Sequence, residues 1–137
     1  MQPKPPSEQP AIRTVMMPKD TNAYGSIFGG VIMSLIDLAA AVEAERQAPR
    51  RFVTVAMDKV EFLCPVRVGQ IVTLWADAIR IGRTSIRVRV RVLARDRGSA
   101  DKDRSVTSAE VTMVAIDAHG RPVTIGPEPL PVEPLLA

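Results

Sequence analysis

Residues 25–45 read GSIFGGVIMSLIDLAAAVEAE, and two features of this stretch could do chemistry together. Gly29 and Gly30 open an apolar run, and a single acid, Asp37, stands near its middle. A spacing of seven residues sets Gly30 and Asp37 on about the same side of a helix, two turns apart. Glycines at a helix start leave backbone N–H groups unpaired at its positive end, and without a Cβ they let another group approach closely. A carboxylate among Val, Ile, Met, Leu and Ala costs free energy unless it is neutralised or partnered. Ser34, Ala40 and Ala41 are small enough to leave room beside it for a water or a substrate atom. These are the two halves of a hydrolytic site, with N–H groups for an oxyanion and an acid that activates water or attacks directly. The competing reading is structural. Asp37 then accepts a hydrogen bond from a neighbouring strand or subunit, and the glycines only permit tight packing.

The elements that must position these residues follow from periodicity and punctuation. Residues 13–17 form a short candidate strand stopped by Pro18, and DTNAYGS (residues 20–26) is a turn-rich loop. A helix is expected from Gly29 to Gln47, ended by Pro49. Residues 52–62 and 71–81 are β-branched or aromatic runs, and residues 84–93 (TSIRVRVRVL) alternate strictly. Gly82 and Arg83 make a tight hairpin between the last two. A further strand spans residues 106–116, with a turn at 117–120. Sequential strands with short connections favour an antiparallel sheet, and a helix apolar on nearly every side must be enclosed by it. The fold class is therefore α+β, with one buried helix.

Composition bounds the rest. A chain of 137 residues fits one domain. Four of the 12 prolines lie in the first ten residues and four in the last eleven. Segments 1–11 and 126–137 are accordingly expected to be flexible tails around a folded body at 12–125. The N-terminal stretch MQPKPPSEQP has no apolar h-region, and no run is apolar enough to span a membrane, so a cytoplasmic location is expected. The net charge of +3 is too small to imply nucleic acid, and aromatics at 4% leave few stacking platforms for single strands. His119, the only histidine, lies in a polar turn, which argues against a triad with histidine as base. One Cys (Cys64, read as a packed thiol) and one His do not suffice for a metal centre.

The motifs also carry a family likeness. MPKDTN (residues 17–22), Gly25, FGG (28–30) and MSLID (33–37) closely resemble the opening of hotdog-fold acyl-CoA thioesterases, in particular the bacterial YciA-like branch. The likeness continues through VTVAMD (53–58), PVRVG (65–69) and GRTS (82–85), and ends near Gly120 and Arg121. The resemblance implies a hotdog fold, a long helix wrapped by a curved antiparallel sheet. It implies homodimers joined edge to edge with active sites at their interface, assembling further to hexamers. It implies hydrolysis of acyl-CoA without a metal or redox cofactor, coenzyme A being part of substrate and product. Carried over by position, Asp37 is the catalytic carboxylate, Asn22 is supplied by the facing subunit, and Gly30 with Gly29 polarises the thioester carbonyl. Gly82, Arg83, Thr84 and Ser85 would lie along coenzyme A.

The remaining candidates have plain alternatives. Asn22 and Asp20 suit an Asx turn and a cap. Thr54 and Asp58 are plausible pocket neighbours, but also ordinary strand residues. Arg87, Arg89 and Arg91 form the solvated face of an amphipathic strand, or with Arg80 and Arg83 meet coenzyme A phosphates. Arg83 is the preferred contact, because Gly82 beside it lets a phosphate reach backbone N–H groups. Besides the hydrolase, the residues allow a non-catalytic acyl-CoA-binding module and a structural protein whose basic strand meets an anionic partner.

Overall fold

The computed structural model describes residues 1–126. Strand β1 (Ile12–Val15) leads through a 3-10 turn at Pro18–Asp20 into helix α1 (Gly29–Gln47). Four strands follow: β2 (Arg51–Phe62), β3 (Ile71–Ile81), β4 (Ser85–Arg95) and β5 (Arg104–Ile116). They form one antiparallel sheet in the order β1-β3-β4-β5-β2. The helix thus carries the chain from one edge strand to the other. The helix bounds are those expected from Gly29 and Pro49, and the architecture is the expected α+β one.

Alternation along β4 fixes what each sheet face does. Ile86, Val88, Val90 and Val92 are buried under the helix, against Val111, Met113, Leu74 and Val72. Ala39, Ala40 and Ala44 face the same core with Ile32 and Ile36, so the backbone of α1 can lie close to the sheet. The other side of the helix is not enclosed, contrary to the expectation of a helix buried all round. Leu38 is 56% exposed, and Met33 and Val42 are exposed as well. A single five-stranded sheet covers one helix face only.

Arginine on the outer face of β4 is more tied down than a solvated row would be. Arg87 donates to Glu110 (Nε to Oε2, 2.6 Å), to Asp58 (2.6 Å) and to Thr112 Oγ1 (3.1 Å). Arg89 reaches Glu110 at 3.4 Å, and Arg91 lies 4.0 Å from Asp77. This ladder crosses from β4 over β5 to the edge strand β2. Lys59, 3.7 Å from Glu110, has a φ of 51° at an irregular step in β2.

The N-terminal segment, expected as a tail, runs extended past the C-terminal end of α1. The Lys4 N–H donates to Gln47 Oε1 at 2.7 Å, Arg46 donates to the Pro5 carbonyl at 2.8 Å, and the Ala11 N–H continues the β1 edge to the Leu74 carbonyl. Of the expected C-terminal tail, residues 127–137 lie outside the described residues.

The Arg87 guanidinium, through its hydrogen bond, holds Glu110 below the usual carboxylate range. A carboxylate whose pKa is depressed on folding adds stability above its unfolded pKa, and that stability is lost as pH falls through the folded value. Glu110→Gln should therefore be less stable than wild type at pH 7 in urea unfolding. The gap should narrow only as pH falls below the ordinary carboxylate range of about 4, towards the depressed folded value at which wild-type Glu110 takes up its proton.

Candidate active site

The loop before α1 is built by Asp20 and Asn22. Asp20 Oδ2 accepts from the Met17 N–H at 3.1 Å and caps the 3-10 turn. Asn22 Oδ1 accepts from the N–H groups of Tyr24 (2.8 Å) and Ser26 (3.1 Å), an Asx-type turn that Gly25 completes at φ 81°. The Phe28 N–H then bonds the Asp20 carbonyl, which sets the direction in which the helix leaves.

Phe28 caps the helix without a side-chain hydrogen bond, and no acid stands in the first turn. The first intrahelical donors, Val31 and Ile32, bond the Phe28 carbonyl. The N–H groups of Gly29 and Gly30 have no acceptor among the described residues. A Cβ on Gly30 would meet nothing within 4 Å, and the residue is exposed. A Cβ on Gly29 would lie 3.3 Å from Phe62 Cζ; here glycine is what allows the ring to close over the helix end.

Asp37 sits half-buried on the side of α1 turned towards β2, where Thr54 Oγ1 donates to its Oδ1. No described residue bonds its Oδ2. The carboxylate is therefore fixed by one oxygen, with the other open. Seven residues of rise separate it from Gly30 by about 10 Å, less the lean of the side chain towards the N-terminus. A chain of carboxylate, water, carbonyl and amide needs two hydrogen bonds of about 2.9 Å, an approach of about 3 Å and a C=O bond, roughly 10 Å in contour. The spacing suits that relay.

Asp58 and Thr54 part company. They stand four residues apart and would share a strand face in a regular strand. Between Thr54, opposite Met113, and Ala56, opposite Thr112, the register shifts by one residue. This bulge leaves Thr54 on the helix side and turns Asp58 to the outer face, where it pairs with Arg87. Asp58 and Asp37 are thus on opposite sides of the sheet. The hairpin at Gly82, Arg83, Thr84 and Ser85 is nearer. Met113 lies opposite both Thr54 and Ile86, which puts the hairpin end of β4 two strand spacings, about 10 Å, from Thr54. The Gly82 N–H bonds the Ser85 carbonyl at 2.8 Å, and the exposed Arg83 side chain has no ion-pair partner among the described residues.

Sequence reasoning did not find the cavity beside Gly29. It measures about 400 Å³ and is walled by Ile27, Ile32, Phe62 and Val66, with Leu63, Cys64, Pro65 and Thr107 completing it. Cys64, expected only as a packed thiol, stands in its wall. Among the described residues no cluster of His, Cys, Asp and Glu could hold a metal ion, and no helix is long and apolar enough to cross a membrane.

The sequence profile of the thioesterase superfamily matches residues 24–100, which hold both glycines, Asp37 and the hairpin. The chain belongs to that superfamily. It is 38% identical over 130 residues to the acyl-CoA thioester hydrolase YciA of Salmonella typhimurium, covering 93% of this chain and 94% of that protein. Among solved structures it resembles the hexameric broad-specificity acyl-coenzyme A thioesterase HI0827 in a mutant form, with a TM-score of 0.83, 40% identity and 87% of each chain covered. It is also similar to a hexameric hotdog fold thioesterase of Campylobacter jejuni, with a TM-score of 0.79 and 42% identity over 86% of this chain and 90% of that one. The hotdog fold and the YciA likeness expected from the motifs are both met.

The two glycines should respond differently to a methyl group. Gly30→Ala should change stability by less than about 1 kcal/mol, since the added Cβ is unopposed and alanine favours helix. Gly29→Ala, pressed against Phe62, should be the less stable of the two in urea denaturation.

Proposed function

We propose that the protein hydrolyses acyl-CoA thioesters to a free carboxylic acid and coenzyme A. The observation that carries this reading is Asp37. It is held by Thr54 with one oxygen free, two turns from a pair of unpartnered glycine amides on the same helix. The names of the relatives, acyl-CoA thioester hydrolase and thioesterase, point to the same chemistry.

In this mechanism Asp37 Oδ2 takes a proton from a water as the water oxygen attacks the thioester carbon. The carbonyl oxygen gains the negative charge, and the N–H groups of Gly30 and Gly29 stabilise it at the positive end of α1. Collapse of the tetrahedral intermediate breaks the C–S bond. Coenzyme A leaves as the thiolate, and the proton held by Asp37 is available to it. Thr54 positions the carboxylate. The hairpin at Gly82, Arg83, Thr84 and Ser85 lies along the coenzyme A moiety, with Arg83 free to meet a phosphate. Asp58, tied to Arg87, takes no part.

The active unit in this reading is a homodimer. The exposed apolar residues of α1 continue onto the edge strand β2, where Val53 and Val55 are also exposed. An edge strand with such a surface invites pairing with a second copy. Within one chain no hydrogen bond joins Asn22 to Asp37. Asn22 spends its carbonyl oxygen on the turn, and its amide nitrogen is left to reach across to the facing subunit's thioester. Assembly beyond the dimer follows the hexamers formed by the structural relatives.

Free-thiol release from short-, medium- and long-chain acyl-CoAs tests the chemistry. Asp37→Asn should fold and lose at least ~100-fold in rate, about 2.7 kcal/mol of barrier. A folded Asp37→Asn variant as active as wild type removes Asp37 from the reaction. Coenzyme A binding without turnover by wild type would mean a binding module instead. Complementation tests the shared site. Asp37→Asn and Asn22→Ala should each be nearly inactive, yet co-refolding them should restore about a quarter of wild-type activity, because half the random dimers hold one intact site. No recovery would overturn the placement of Asn22 across the interface.

A further inference from the structure

A residue in the wall of the cavity beside Gly29 carries an unmatched polar group. Thr107, on β5 between Val92 of β4 and Phe62 of β2, is 1% exposed and lines the cavity. Its Oγ1 has no hydrogen-bond partner among the described residues. Other polar side chains of the interior are matched. Thr73 Oγ1 accepts from Arg13, Glu43 from Arg46, and Gln70 donates to Asp96. The other buried side-chain atom left without a partner, Gln47 Nε2, belongs to the last residue of α1, the opposite end of the helix from the cavity. Burying a hydroxyl unpaired is costly, and valine has almost the same shape without that cost. A threonine in a wall otherwise made of Ile, Phe, Leu, Pro, Val and a thiol thus points to a polar atom that is there only when a ligand is bound.

Resting on the acyl-CoA reading, we propose that this cavity takes the acyl chain and that Thr107 makes the enzyme favour chains carrying a neutral oxygen, hydroxyl or keto, over plain chains of equal length. The cavity adjoins Gly29, whose amide belongs to the proposed oxyanion site, so an acyl chain leaving the carbonyl can enter it directly. The threonine hydroxyl both donates and accepts, and so can pair with either kind of oxygen. In the structure Oγ1 itself is sealed from the cavity; a rotation about χ1 brings it to the wall in place of the methyl group, and strands accommodate more than one such rotamer. The oxygen must be neutral. None of the lining residues is charged, so a chain ending in a carboxylate would bury that charge without a partner.

The test compares kcat/KM for 3-hydroxyhexanoyl-CoA and 5-hydroxyhexanoyl-CoA, each against hexanoyl-CoA, in wild type, Thr107→Val and Thr107→Ser. For at least one hydroxylated chain the ratio to hexanoyl-CoA should fall about tenfold in Thr107→Val and persist in Thr107→Ser. A general loss of packing would lower all rates and leave the ratios alone. Cys64, the single cysteine, lines the same cavity and gives a readout apart from turnover. In the Asp37→Asn background, the hydroxylated ester should protect it from N-ethylmaleimide better than hexanoyl-CoA does, and Thr107→Val should erase the difference. Ratios that stay within twofold in Thr107→Val overturn the assignment while leaving the hydrolase reading intact. If wild type hydrolyses none of the esters and none protects Cys64, the hydrolase reading and this inference fall together.

Discussion

The burial of one helix face determines where everything else in this molecule can be. Ile32, Ile36, Ala39, Ala40 and Ala44 seat α1 on the central strands, and that contact fixes the rotation of the helix about its axis. Once the rotation is set, Gly30 and Asp37 have no choice of direction. They must emerge on the flank that looks towards β2 and solvent. Alanines at the contact keep the two layers close, so a side chain as short as threonine can reach across from the sheet. A carboxylate placed one position earlier or later would enter the core or point fully outwards.

Edge strand β2 answers that geometry with a discontinuity. Its bulge after Thr54 lets neighbouring parts of one strand serve opposite faces of the sheet. Thr54 holds Asp37 on the inner side, while Asp58 joins Arg87 and Glu110 on the outer side. The ladder of charges ties the edge strand to β4 through β5 and so supports the position of Thr54 from behind. The charge ladder on the outer face and the Thr54–Asp37 contact on the inner face are thereby carried by a single strand.

Much of this was legible in the sequence, and the parts that were not share a cause. The helix limits follow from the glycine pair and Pro49, and the alternation in β4 gave its inward valines directly. The turn role of Asn22 and the cap role of Asp20 needed only local rules. Three features depended on partners distant in the chain. The bulge that separates Thr54 from Asp58 is defined by its register against β5, which no period within β2 reveals. The cavity joins residues 62–66 to Ile27, Ile32 and Thr107, and no short motif contains that set. The open face of α1 was misread as buried because an apolar residue type reports a need for cover, not which chain supplies it.

The strand order has a consequence for how the protein comes into being. Strand β2 is made early but pairs only with β5, the last strand, so Thr54 has no fixed place until Met113 exists opposite it. On the ribosome, α1 and β1 can gather on the β3–β4 hairpin while β2 still has no partner. The contact that orients Asp37 is therefore among the last to form, and a nascent chain cut short before β5 lacks it altogether. Synthesis itself delays the completion of the site until the sheet is closed.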